Sequence, residues 1–228
     1  MIKRVLNIVL LALLLVACEQ DNPGKQQPQT EVEVTFNFEF EDVAITRAIS
    51  DGTTADELMY AIFNTNNNEL VISKATKKDA TGATTTEGLT TSMTLTGGVK
   101  YKAVFWLQSS LSDAYTVSDD MKVTVSYASE CNDETRDAFF KSIEFTVTGS
   151  TSIDVILKRP FAQINVGVYE SDWNAAVASG VEIEKSTATI VKAATSINLL
   201  TGEVGAETTD VTVGYTENAI PTEALMVD

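Results

Sequence analysis

The chain has 228 residues, 32 acidic against 16 basic side chains and a formal net charge of −16. A field of that sign repels nucleic acid and anionic membrane surfaces and says nothing about fold. Histidine is absent, which removes the commonest general base and the commonest transition-metal ligand.

The N-terminus reads as an export signal. Lys3 and Arg4 precede an apolar run over residues 5–17, broken only by Asn7. Thirteen residues fall short of the ~20 that a membrane span needs, so the run reads as a cleavable signal peptide, residues 1–17. Leu15, Val16, Ala17 and Cys18 close it as a lipoprotein signal does, with a small residue before the cut and a thiol to take the lipid. The mature chain is expected to begin at an acylated Cys18 and to be held on a membrane by its acyl chains. Loss of Lys3 and Arg4 takes the charge from −16 to −18. Cys131 is the other cysteine. With Cys18 lipidated, no intrachain disulfide can form, so stability must come from core burial.

Residues 18–30 are polar, contain Pro and Gly, and show no periodicity; they read as a disordered, lipidated tether. Folded sequence starts at Glu31. Val32, Val34, Phe36, Phe38 and Phe40 alternate with polar residues, which predicts a strand with one buried face. Further strands are expected at 57–64 and 70–75 around an Asn-rich hairpin loop, and at 91–96 and 100–108 around Gly97-Gly98. Others follow at 122–127, 142–148 and 152–157. A helical turn is expected over 133–141, capped by Asn132. Short connections predict antiparallel pairing. After Lys158-Arg159-Pro160, strands are expected at 161–169, 181–190, 196–200 and 210–215. A short helix over 171–179 is expected to be capped by Ser171 and stopped by Gly180. The expected domains are 31–159 and 160–228. The terminal Ala-Leu-Met-Val-Asp reads as a strand just starting, so the second domain is expected to be incomplete.

No catalytic constellation is present. Serine triads and Cys-His pairs lack their histidine, and neither a P-loop nor paired-cysteine zinc spacing occurs. No cofactor or metal is expected, and the chain reads as a non-enzyme. Glu130, Asp133, Glu134 and Asp137 lack the loop pattern that wraps calcium and read as a solvated helix start. Asp119-Asp120 reads as a turn, Trp106 as core, and Trp173 as the more exposed tryptophan. One site carries testable chemistry: Arg47, followed by the small Ala48, lies between a complete strand and an Asp-Gly turn signal. Arg159 precedes proline, which resists trypsin-like cleavage, and Arg136 falls in the expected helix.

Cleavage after Arg47 would remove the first strand. Its five apolar side chains are worth on the order of 8–15 kcal/mol as an upper bound, comparable to the net stability of a domain. The groove left behind would need a replacement strand, which a neighbour could supply by strand addition.

The chain resembles the fimbrillin-like lipoproteins of type V pili in Bacteroidota. The resemblance rests on the lipobox 15–18, the polar tether, the alternating first strand, residues 45–52 around Arg47-Ala48, the strand 58–63 and the stretch 157–166. It implies an all-β chain of two transthyretin-like antiparallel β-sandwich domains, exported as a lipoprotein to the outer membrane. It also implies removal of the first strand by an arginine-specific protease. The implied partners are other pilus subunits, that protease and the outer membrane, with no nucleic acid. In the family a C-terminal segment of one subunit fills the groove of the next, and no segment after Asp210 matches such a donor. Either the donor lies beyond the end of this sequence, or the chain is a cap, tip or anchor. The competing reading is a monomeric surface lipoprotein that binds glycan or a host ligand. The acidic residues Glu19 and Asp21 suit an outward-facing lipoprotein.

Overall fold

The computed structural model describes residues 30–40, 52–78, 89–127, 133–162, 169–181 and 186–215. Cys18, Arg47, Ala48 and Cys131 lie outside them. Residues 31–228 group as one compact unit.

The protein is built from β-strands. In chain order these are β1 (Glu31–Phe40), β2 (Glu57–Asn64), β3 (Glu69–Lys77), β4 (Leu89–Thr96), β5 (Lys100–Gln108), β6 (Tyr115–Val117), β7 (Lys122–Val125), β8 (Ala138–Thr146), β9 (Thr151–Leu157), β10 (Ser186–Ala194), β11 (Ser196–Asn198) and β12 (Thr208–Tyr215). One α-helix is described, α1 (Glu170–Ala178). The strands form four sheets, ordered β4-β1-β9, β3-β2-β5-β8, β11-β7-β6 and β10-β12.

The alternation of β1 and the unbroken apolar runs of β2 and β5 have one explanation. β1 buries one face: Val34, Phe36 and Phe38 enter the first core, with Val32 and Phe40 at its margin. β2 and β5 bury both faces. Leu58, Ile62, Ala103, Phe105 and Leu107 face the first core, while Met59, Ala61, Phe63, Val104 and Trp106 face a second. The sheet β4-β1-β9 covers the first core. The small sheet β11-β7-β6 covers the second with Val117, Val123 and Ile197. A strand covered on both faces needs no polar alternation.

Antiparallel pairing, expected throughout, holds for every named pair except one: β1 runs parallel to β9, with Val34 opposite Thr151 and Phe40 opposite Leu157. The long stretch between β1 and β9 supplies the crossover that parallel pairing requires. Gly97-Gly98 also departs from a simple hairpin. Gly98 adopts φ +79° in the turn, but β4 joins β1 while β5 joins β2 and β8. The turn is thus a corner between two sheets.

Local expectations around the helices need correction. The turn expected over 133–141 is a single 3₁₀ turn at Glu134–Arg136 followed directly by β8, because Ala138 and Phe139 bury as strand residues in opposite cores. Ser171 does not cap α1; Tyr169 holds the N-cap position without a side-chain hydrogen bond. The stop at Gly180 is as expected. Gly180 has φ +77°, and its N–H and that of Val181 donate to the Val177 and Ala176 carbonyls, the paired bonds of a Schellman motif. Phe161 and Ala162 are not strand, and residues 163–168 of that expected strand lie outside the described residues. The short β6 had no sequence signal. β11, which follows Pro160 in sequence, pairs with β7, so one sheet and one core draw on both sides of that residue.

Candidate functional site

Two features bring chemistry together: the seat of β1 with the chain that leaves it, and a cleft on the opposite side of the central sheet.

β1 lies between two strands. Its register runs from Glu31 opposite Thr96 to Phe38 opposite Leu89 on β4, and from Val34 to Phe40 on β9. Its buried face is a line of aromatic contacts. Phe36 meets Phe105 at 5.1 Å and Phe145 at 5.4 Å; Phe38 meets Phe105 at 4.8 Å, and Phe40 meets Phe139 at 4.5 Å between ring centroids. All are edge-to-face, the favoured geometry for such pairs. Its outer face is polar and hydrogen-bonded sideways: Thr35 and Ser92 share a 2.8 Å bond, and Asn37 Nδ2 donates to Ser152 Oγ and Asp154 Oδ1, both at 2.8 Å. The three fully buried side chains alone contribute roughly 5–9 kcal/mol as an upper bound. Removing β1 would leave the facing edges of β4 and β9 unpaired, which is an invitation to another strand.

The next described stretch begins at Gly52. Its N–H donates to Asp137 Oδ2 at 3.0 Å, and the same oxygen accepts from Arg159 Nη2 at 3.1 Å. Asp137 is buried. The Arg159 guanidinium also lies 4.9 Å above the Phe139 ring. Gly52 has φ +79°, and a Cβ there would stand 2.8 Å from Phe139 Cζ. Glycine is therefore required both by backbone conformation and by space. This clasp was not legible in sequence, because its members come from three distant stretches. It also reassigns the acidic cluster. Asp137 belongs to Arg159 and Gly52, while Asp133 accepts from the Thr135 N–H and hydroxyl. Glu130 lies outside the described residues. Arg136, in its 3₁₀ turn, donates to the Ser126 carbonyl.

The remaining residues singled out from sequence fall as follows. Trp106 is fully buried and donates to Gln108 Oε1 at 2.7 Å. Trp173 is half-buried on α1. Asp119-Asp120 forms a turn ahead of Met121, which has φ +58°. Tyr115 packs on Trp106 at 5.3 Å and donates to the Arg136 carbonyl at 2.6 Å. Burial pushes its phenol up to about 12.

The second feature is a cleft of about 310 Å³ between β5 and β8, the residues after β9, and the turn that follows β11. Lys102, Lys141, Lys158 and Arg159 line it together with Phe140, Ser142 and Thr201. Among the described residues, no group of three His, Cys, Asp or Glu side chains is placed to hold a metal, and no helix is long and apolar enough to cross a membrane.

Residues 25–227 match the sequence profile of the family described as "Family of unknown function (DUF6562)". The chain belongs to that family. No curated protein matches it. Among solved structures it is similar to a candidate adhesin from Bacteroides ovatus, with a TM-score of 0.50 and 16% identity, over 82% of this chain and 62% of that one. The chain thus spans less than two thirds of that protein's length. It is also similar to the fimbrial anchor protein Mfa2 from Porphyromonas gingivalis, with a TM-score of 0.43 and 10% identity, over 80% of this chain and 66% of that one. A fimbrial assembly protein from Parabacteroides distasonis gives 0.41 and 12%, over 83% and 77% of the two chains. At such identities the likeness is one of fold, and the fold shared with the first is the all-β sandwich expected from the sequence.

Proposed function

We propose that this chain is a structural subunit or accessory adhesin of a cell-surface pilus. In this reading Cys18 carries a lipid that holds the exported chain at the outer membrane. An arginine-specific protease cuts between Arg47 and Ala48, and a neighbouring subunit supplies a strand to replace β1. The role is non-enzymatic. Residues 31–159 would form the first sandwich and residues 160–228 belong to a second, with β11 laid against the first.

The observation that supports this reading is the seat of β1. It is paired on both sides, buries Val34, Phe36 and Phe38 on one face, and is the first strand among the described residues. Removing it costs the domain a full row of its core without interrupting any later strand. The empty seat would carry two unsatisfied ladders and an apolar floor, the features that strand addition satisfies. The fimbrial and adhesin descriptions of the proteins with similar folds point the same way.

The test is digestion of the full chain with an Arg-specific protease. The expected product begins at Ala48 and forms ladders that resist SDS, while Arg47→Ala stays uncut and monomeric. A product that begins at Ala48 yet remains monomeric would sink the strand-replacement step. The cleft favours a second reading, an uncut surface lipoprotein that binds a ligand as a monomer.

A further inference from the structure

The end of β1 and the stretch that follows β9 meet on one buried ring, Phe139 of β8. Phe40 meets that ring edge-to-face at 4.5 Å. Gly52 lies against its tip, where a Cβ would stand 2.8 Å from Cζ. The Arg159 guanidinium lies 4.9 Å above its face, within the ~6 Å at which a ring attracts a cation. Asp137 stands two residues before Phe139, so the two side chains share a face of the strand direction. Its Oδ2 accepts from both Gly52 and Arg159.

The joint after β9 is fastened on both sides of the central sheet. Phe140 and Lys158 exchange both backbone hydrogen bonds, at 2.8 and 3.1 Å, and β8 is the last strand of that sheet. From there Arg159 turns over Phe139 on the side of the first core. Phe161 turns to the second, stacked on Tyr115 at 5.5 Å and edge-on to Trp106 at 6.2 Å. Just before the joint, Leu157 is buried in the first core opposite Phe40 in the register of β1 with β9. The seated end of β1 therefore supports the joint twice, through the ladder to Leu157 and through Phe139 to Arg159. Phe36 and Phe38 pack instead on Phe105 and Phe145. Loss of the Phe40 ring would open a gap beside Phe139, and a close-packed interior fills such a gap only in part, by shifting its neighbours. A shifted Phe139 loses its fit to Gly52 and Arg159, and water entering beside Asp137 weakens the ion pair.

We infer that the joint 158–161 senses the β1 seat: its order depends on an apolar side chain set against Phe139 from the position of Phe40. The coupling itself needs no cleavage. Its consequence for assembly rests on the pilus reading: a strand that replaces β1 has to present a ring or comparable apolar side chain at that position to firm the residues after Pro160.

The test is site-resolved hydrogen exchange of the full, uncut chain, read at the Lys158 and Phe140 amides, whose opening is local. Phe40→Ala is expected to quicken both by about tenfold, while the amides of Phe36, Phe38 and the interior of β5 keep their rates. Phe40→Leu keeps apolar bulk without the ring. It is expected to give a smaller rise at the same two amides, and it decides the question if Phe40→Ala does not fold. Arg159→Ala is expected to quicken them as well. The double variant of Phe40→Ala with Arg159→Ala is expected to fall short of the product of the single effects, because each removes the same link. Unchanged rates at Lys158 and Phe140, an equal rise within β5, or a full product in the double variant would overturn the inference. No polymer takes part in this measurement, so it and the SDS ladders fail separately.

Discussion

β1 and β5 are both interior strands of their sheets, and they touch through Phe36, Phe38 and Phe105, yet they are held in different ways. β1 is buried on one face and polar on the other. β5 is buried on both faces, with Phe105 in the first core and Trp106 in the second. Loss of β1 would take one side of one core with it. β5 cannot leave without dismantling both. The strand proposed for exchange is thus an interior strand with a single buried face, the first among the described residues.

The largest effect expected from this contrast is on the two strands themselves. Deleting residues 31–40 should remove roughly 5–9 kcal/mol of apolar burial, and a synthetic peptide of those residues added in trans should restore a cooperative urea transition. A peptide of residues 100–108 added to a chain lacking β5 should not. Rescue of both, or of neither, would break the comparison.

A smaller effect is expected where the chain leaves β1. Asp137→Ala removes the acceptor that the Arg159 guanidinium and the Gly52 N–H share, and loss of one partner of a buried pair costs about 3 kcal/mol. Hydrogen exchange should quicken at Gly52 and Phe140 while Phe36 and Phe38 keep their protection. Equal loss of protection in β1 would mean that the clasp and the strand form one unit.

The smallest effect reads the cover over the second face of β5. The Tyr115 phenol is raised to about 12 by burial. A group whose folded pKa lies above its unfolded value contributes stability that is fully present below pH 10 and lost as pH rises toward 12. The loss amounts to about 2–3 kcal/mol. Chemical denaturation between pH 9 and 12 should show that decline, and Tyr115→Phe should flatten it. A decline that persists in the variant would place the sensitive group elsewhere.

Much of the strand pattern was legible because its signal is local. The bounds of β2 and β5 could be read from their apolar runs, and the buried face of β1 from its alternation. β6 was missed because three residues carry too little pattern. The 3₁₀ turn at Glu134–Arg136 was overestimated because acidic residues that suit a helix start also serve a tight turn and a buried clasp. Of the site, the one-sided burial of β1 was legible and the clasp was not. Nothing about Asp137 in sequence announces a partner at Arg159 or a donor at Gly52.

By itself the sequence determined which residues alternate, which faces must be buried and where glycine ends a helix, because each depends on neighbours a few positions apart. Only the tertiary structure decided that β1 stands between β4 and β9, that it runs parallel to β9, and that Asp137 holds both Gly52 and Arg159. Those outcomes depend on residues up to about 120 positions apart, brought together by the joint burial of two cores, and no short window of sequence contains them.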